Sequence, residues 1–577
     1  MAHIVTGGAD LKYDRVGVIP LGGQSELGQT LWVLTFAGQI LLIDAGAAYP
    51  AEDLPGVDLL FPNTNFLEAN QEKILALVLT NAHEEHCGAV SYLLHHLRIP
   101  KIMGPRFVSA FLAQCEIVSN KVTGFACPIV DTVEMRHPYH IGPFEVEWIQ
   151  VNDAIADACA LRIGTPEGNI IYTSSYKLDQ TPVDNKLLDV SRLAQVGDDG
   201  VLLLIGDSAG VESEGYTPSE RAVVNPILKA VNKSSGRVIV VMLGTNTHRL
   251  QILFDIAHDT GRQVALVGET LMRTAVSAAI TGNLHYNRKI EASLAALETL
   301  PPNQSLIIAT GQDGDPMNVM IDLAEGRQKD LTLKEGDTVI YSADIYPGRS
   351  RQMAMILDQF MSMGITVVYG IRHGIHVSKH ASREEQKLML SIANPKFFVP
   401  ALGEGRHIMH HAQLAMEWGL PADAVFPLKN GDVLELHNGV ATVIGAIEAA
   451  PVYFNKDQGD RVTTYSVNER RSLSLEGIVT IGLVVDHKGI LVSGPSVEVS
   501  ASGFLKSPEW LQTREELLEA IKDSLHKYHT PAGNGAPVEY ELGALRASVR
   551  EVAVKALRTR LQAKPTVQVV VHELAAI

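Results

Sequence analysis

Only four cysteines occur in 577 residues (Cys87, Cys115, Cys127 and Cys159), and no two form a C-x-x-C pair. That excludes a disulfide framework and a zinc knuckle. No apolar stretch approaches membrane-spanning length, and the opening Met1-Ala2-His3-Ile4-Val5-Thr6 lacks a signal-peptide pattern. Basic residues are outnumbered 48 to 65, for a formal net charge of −17. A protein that coats nucleic acid regardless of sequence needs a Lys/Arg surface, so that class is excluded, although a local basic groove is not. Internal repeats and low-complexity segments are also missing. These absences lead to the expectation of a cytoplasmic protein without a membrane anchor.

What is present is ordinary for a globular chain, with 46% hydrophobic and 20% charged residues. The length implies roughly three or four domains. The most informative stretch is Leu79-Thr80-Asn81-Ala82-His83-Glu84-Glu85-His86-Cys87-Gly88. An apolar run, residues 74–79, precedes it as a buried strand, and a helical pattern through Leu93, Leu94 and Leu97 follows. Strand, turn and helix put the turn residues at the end of a sheet, where α/β proteins build sites. The turn resembles the H-x-H-x-D-H motif of metallo-β-lactamase-fold hydrolases, with Asn81 at its first His and Glu85 at its Asp.

Other segments repeat the same design. The run Ile40-Leu41-Leu42-Ile43 ends at Asp44, which near a metal site orients a ligand histidine and elsewhere only forms a turn. Strands run into polar turns at residues 150–157, 170–177 and 202–208. Composition shifts at residues 212–220, and residues 220–370 then alternate strand and helix as a second parallel layer, inserted rather than appended. The turn Thr310-Gly311-Gln312-Asp313-Gly314-Asp315 offers backbone N–H groups to a phosphate, or merely closes a strand. In the tail, a helix opening at Ser507-Pro508 or at the Thr513 capping box buries Leu517, Ile521 and Leu525. A second helix carries Leu542, Leu545, Val549 and Val552, and a strand closes the unit at Val567–Val571.

In this order the motifs resemble ribonuclease J from about residue 15 to the end. The resemblance rests on Ile19-Pro20-Leu21-Gly22-Gly23, residues 57–62, 180–184 and 216–220, Asn246-Thr247-His248-Arg249, His376-Val377-Ser378-Lys379-His380, and Pro400-Ala401-Leu402-Gly403-Glu404-Gly405-Arg406. It implies an α/β fold, a metallo-β-lactamase αββα sandwich with an inserted β-CASP domain and a small α+β C-terminal domain. The boundaries expected are 12–213 with 371–449, 214–370, connecting strands at 450–500, and 501–577. It also implies metal-dependent hydrolysis of RNA, 5′ to 3′ from a 5′-monophosphate end and endonucleolytically, in homodimers or homotetramers that can meet other RNA-decay proteins.

Members of that family hold two zinc ions. The corresponding positions here are Asn81, His83, Glu85, His86, Asp153, Ser175 and Leu402, with Asp44 behind them. Five of the seven depart from the family, and only His83 and His86 keep its residue types. The shared carboxylate that holds two ions ~3.5–4 Å apart is replaced by Ser175. The expectation is therefore no ion, or one weakly bound Zn²⁺, Mn²⁺ or Mg²⁺. The resemblance gives catalytic roles to His83, His86 and His380, and phosphate contacts to Asn246, His248, Arg249, His376, Ser378, Lys379 and His380. Lys379 stands where the family has Gly, so its ammonium is expected to replace part of the missing metal charge near a phosphate. Impaired hydrolysis is the resulting expectation, and the alternative is an inactive pseudonuclease serving as an RNA-binding or assembly subunit. A different hydrolase on a remodelled site is the third reading.

Overall fold

The strand Ile74–Val78, which delivers the histidine turn, lies inside an eight-stranded sheet of a computed structural model. The structure describes residues 13–50, 54–114, 130–345, 348–456, 460–486, 491–500, 508–528, 542–561 and 565–574. Cys115, Cys127 and Ser507 lie outside the described residues. The sheet runs Val440–Ala446, Asp432–His437, Val16–Gly22, Leu31–Phe36, Gln39–Ile43, Ile74–Val78, Ile102–Gly104 and Val130–Thr132. Its first strands pair antiparallel, and it turns parallel from Gln39–Ile43 onward. The buried, nearly continuous apolar runs at 40–43 and 76–79 suit a parallel region covered on both faces.

A second, six-stranded sheet runs Phe397–Ala401, Val201–Asp207, Gly168–Tyr172, Cys159–Thr165, Phe144–Gln150 and Pro138–Ile141. The two sheets meet through large side chains. The rings of Trp32 and Tyr172 lie 6.5 Å apart, and Trp148 Nε1 donates to the Leu79 carbonyl at 2.9 Å. Because the strands run the same way where they matter, Asp44, Thr80, Ser174 and Ser175, Asp207 and Leu402 all sit at or just past strand ends.

Between the neighbouring strands Val201–Asp207 and Phe397–Ala401 the chain builds another layer. It is a five-stranded parallel sheet in the order Gln263–Val267, Ser305–Ala309, Val238–Met242, Thr338–Ser342 and Thr366–Val368. Ile239, Val241, Ile307, Val339 and Phe360 form part of its core. The insertion expected from the strand/helix alternation is present. The turn after Ala309 is not an anion cradle. Gly311 N donates to Asp315 O at 3.0 Å, Gly314 N to Gly311 O at 3.2 Å and Asp315 N to Gln312 O at 3.2 Å, so those N–H groups close the turn itself.

The chain divides into two compact units, Met1–Glu52 with Leu59–Val452, and Asp53–Asp58 with Tyr453–Ile577. In the second unit, Leu491–Ser500, Ile478–Val485 and Thr566–Glu573 form one sheet. Strands from the expected 450–500 connector and from the 501–577 tail therefore share a sheet. The helices Pro508–Tyr528 and Leu542–Leu561 pack on it. Leu517, Ile521, Leu525, Leu545 and Val549 are buried as their spacing predicts, whereas Leu542 and Val552 are half-buried against them. Helix begins at Pro508, so Thr513 is an interior residue and not a cap. Among the described residues, no helix is long and apolar enough to cross a membrane.

Candidate metal centre and phosphate cleft

Asn81 makes the turn and does not face a metal. Its side-chain oxygen accepts from His83 N at 2.9 Å, which sets the short helix Glu84–Cys87, and its amide donates to Ser174 Oγ at 3.2 Å. Such Asx turns are a local use of asparagine that needs no ligand.

His83 is buried between two partners. Nε2 lies 3.0 Å from Asp153 Oδ1 and Nδ1 lies 2.7 Å from Thr245 Oγ1. Burial, with help from the nearby Lys379 charge, pulls His83 down to about 4 against the opposing pull of Asp153, so the imidazole is neutral. Burial pushes Asp153 up, but its contacts with His83 and Ser175 outweigh that and hold it below the usual carboxylate range. Both ring nitrogens of His83 are thus taken up by protein partners.

His86 is oriented differently. Nδ1 lies 2.7 Å from Asp44 Oδ2, and Asp44 also accepts from Thr80 N at 2.9 Å and Tyr172 OH at 3.0 Å. His86 Nε2 then points to Ser175 Oγ at 3.3 Å and Glu85 Oε1 at 3.6 Å. Ser175 Oγ donates to Asp153 Oδ2 at 2.6 Å. Glu85 is in direct contact with Lys379 Nζ. Burial pulls the Lys379 ammonium down to about 7, while the touching carboxylate favours its charged form. The pair closes one end of a chain of contacts running Lys379, Glu85, His86, Ser175, Asp153, His83, Thr245.

The backbone keeps an unusual conformation at three of these corners. Asp44, Ser174 and Leu402 have φ of 57°, 56° and 54°. Left-handed backbone costs roughly 1–2 kcal/mol outside glycine, and short polar side chains offset it by local hydrogen bonds. Leu402 has no polar atoms to do so, and it presents an apolar side chain only 6% exposed at the last ligand position.

These residues do not fit two metal ions. Ser175 contributes no shared carboxylate, Leu402 contributes no donor, the Asn81 oxygen is taken by backbone, and both His83 nitrogens have protein partners. Only His86 Nε2 and the Glu85 and Asp153 carboxylates retain donor atoms, and each carboxylate already has a protein partner. A dinuclear hydrolytic centre needs more.

The opposite wall is arranged otherwise. His376, Ser378, Lys379 and His380 line a cavity of about 260 Å³ together with Asn246 and Asp344. His380 Nδ1 lies 2.7 Å from Asp207 Oδ2, His380 is 14% exposed, and its Nε2 has no hydrogen-bond partner among the described residues. His376 Nε2 lies 3.0 Å from Asp344 Oδ1, and neither ring nitrogen makes a hydrogen bond among the described residues. His376 and His380 hold Asp344 below the usual carboxylate range.

The structure does not bring His248 or Arg249 to that cavity. Arg249 is fully buried, with Nη2 2.7 Å and Nε 3.2 Å from Glu220 Oε2 and Nη1 on the Ser342 and Ile375 carbonyls. Its fork is taken up by protein, which removes the expected phosphate contact. His248 Nε2 lies 3.5 Å from Asp184 Oδ2 instead. Asn246 caps the helix Thr247–Asp259 by accepting from Arg249 N at 2.7 Å. Thr245, Asp207 and Asp344 were missed in the sequence reading. The last two stand at or just beyond strand ends, the same signal that picked out Asp44.

The αββα sandwich, the inserted parallel sheet and the histidine turn at their common rim define a β-CASP protein of the metallo-β-lactamase fold. The family description "Ribonuclease J, beta-CASP domain" matches residues 235–360, and "Ribonuclease J C-terminal domain" matches residues 465–574. A ribonuclease J from Thermus thermophilus is 33% identical over 525 residues, covering 89% of this chain and 89% of that protein. One from Synechocystis is 32% identical over 554 residues, covering 95% and 85%. Ribonuclease J2 of Bacillus subtilis is 28% identical over 565 residues, covering 97% and 99%. A crystal structure of a protein of unknown function from Enterococcus faecalis aligns with a TM-score of 0.50 at 16% identity, over 73% of this chain and all of that one, which speaks for the fold alone. The chain belongs to the ribonuclease J family.

Proposed function

We propose that this family member is an RNA-processing protein that takes single-stranded RNA, 5′-monophosphorylated at its end, into the cleft formed by the turns at Asn246 and His376–His380. The observation that carries the reading is the His380 side chain, fixed by Asp207 through Nδ1 with Nε2 left for a phosphate oxygen. His376, Ser378 and Lys379 line the same cavity and supply further donors. Binding of a 5′-labelled single-stranded RNA, followed by fluorescence anisotropy, tests it. His376→Ala/His380→Ala should weaken binding strongly, and equal affinity of wild type and double variant would reject the cleft as the RNA site.

A second reading, favoured by the closed contacts of His83 and Glu85, is that the cleft holds RNA without two-ion hydrolysis. On that reading the chain is a pseudonuclease, an RNA-binding or assembly subunit. Cytoplasmic action, a homodimer or homotetramer, and at most one weakly held divalent ion belong to the same proposal and rest on the family resemblance and on the donor set.

A further inference from the structure

We infer that Lys379 is a tethered cation that keeps divalent metal out of this centre, and that the centre becomes a one-ion site when the ammonium is removed. The inference rests on the misfit of the donor set to two ions, and it goes beyond the phosphate contact assigned to Lys379 above.

The turn that carries Lys379 is anchored on both sides of it. The Ser378 carbonyl accepts from the buried Lys177 Nζ at 3.2 Å, His380 N donates to Ser378 Oγ at 3.2 Å, and His380 Nδ1 is held by Asp207. With its backbone fixed, the side chain reaches Glu85, 294 positions earlier in the sequence, and is only 13% exposed. His83, Glu85 and Lys379 line one cavity of about 300 Å³. The ammonium contacts the Glu85 oxygen that lies 3.6 Å from His86 Nε2, the one imidazole nitrogen here still aimed at a ligand position.

Charge balance gives the contact its meaning. Glu85, Asp153, Asp44 and Asp207 converge on this rim, and the last three are buried. Buried carboxylates require a cation or a full set of hydrogen bonds. Lys379, in contact with Glu85, is the compact positive charge set against that side of the group. An ammonium and a divalent ion cannot share one carboxylate oxygen and one pocket at contact distance without strong repulsion. Lysine and metal are therefore alternatives here. Without the ammonium, Glu85 is released, His86 Nε2 is already aimed, and Asp153 can turn from Ser175 to an ion. Those are three protein ligands, the number usual for one catalytic-type zinc or manganese ion.

The test uses the full chain, purified as wild type, Lys379→Gly and Lys379→Met, and freed of metal by chelator and dialysis. Zinc and manganese uptake is followed by equilibrium dialysis with elemental analysis, and by the shift in melting temperature on adding metal. The expected result is substoichiometric metal on the wild type and about one equivalent on a folded Lys379→Gly or Lys379→Met variant, lost again on adding Glu85→Gln. Stoichiometric metal on the wild type that disappears with His86→Ala would overturn the inference. So would either Lys379 variant, folded by circular dichroism, staying metal-free. RNA affinity measured on the same proteins reports separately on the cleft: a wild type that fails to bind RNA rejects that reading and leaves the metal result standing.

Discussion

The two walls of the cleft solve opposite problems with similar residues. On one, His83 is bonded at both nitrogens and Glu85 is covered by Lys379. On the other, His380 is bonded through one nitrogen to Asp207, and one nitrogen of His376 lies 3.0 Å from Asp344. A histidine held through one nitrogen is pre-oriented for a ligand, whereas one held through both is a structural part. The difference teaches that a wall can keep a metal-motif histidine such as His83 and lose its availability. Ligand identity is read from sequence, but availability depends on what the remaining atoms touch.

Breaking the support behind the open wall should have the largest effect. Glu220→Ala leaves the buried Arg249 and Lys177 without their carboxylate and is expected to destabilise by ~3–5 kcal/mol, measured by urea denaturation. A smaller change would mean that Arg249 finds solvent or another acceptor, and the cleft would then regain a phosphate ligand.

The next effect is a pH dependence. Burial pulls His411, bonded to Ser208 behind the same wall, down to about 3. Below the unfolded value of about 6.5 the unfolded chain takes up a proton that the folded chain refuses, so stability is full above that pH and falls as pH drops through it. Between pH 7 and pH 5 the loss from this group is about 2 kcal/mol. His411→Gln should flatten the stability profile in that range, and an unchanged slope would assign the dependence elsewhere.

Affinity comes third. His376→Ala and His380→Ala are each expected to weaken RNA binding about tenfold, ~1.4 kcal/mol, while His83→Gln leaves it nearly unchanged. Equal losses at all three positions would erase the distinction between the walls. Smallest is Tyr172→Phe, which removes one donor to Asp44 and should cost about 1 kcal/mol of stability in the same urea assay, without effect on RNA affinity.

Much of this architecture was legible in the sequence. Apolar runs ending in a polar residue located the strand ends at Asp44, Thr80 and Asp207, and the alternation after residue 220 located the inserted sheet. The replaced metal positions were legible too, because each is a change of residue type within a recognisable turn. Their consequences were not. Glu85 and Lys379 read as two separate departures, and only folding brings them into contact across 294 positions. Arg249 sits in a motif that suggests a phosphate, but its neighbour in space is Glu220, whose burial no local pattern reveals. The Thr310–Asp315 turn has the composition of an anion cradle, and the N–H groups of Gly311, Gly314 and Asp315 bond within the turn instead.

The most direct measurement is a time course on a 5′-monophosphorylated, 3′-labelled RNA with Mn²⁺, Mg²⁺, Zn²⁺ or EDTA, run beside a His83→Ala/His86→Ala variant purified identically. With Lys379 on Glu85 and both His83 nitrogens bonded, the prediction is RNA that is bound by both proteins and degraded by neither. Degradation that requires added metal and vanishes in the double variant would contradict the account, because it would mean that the closed wall opens to hold a working ion.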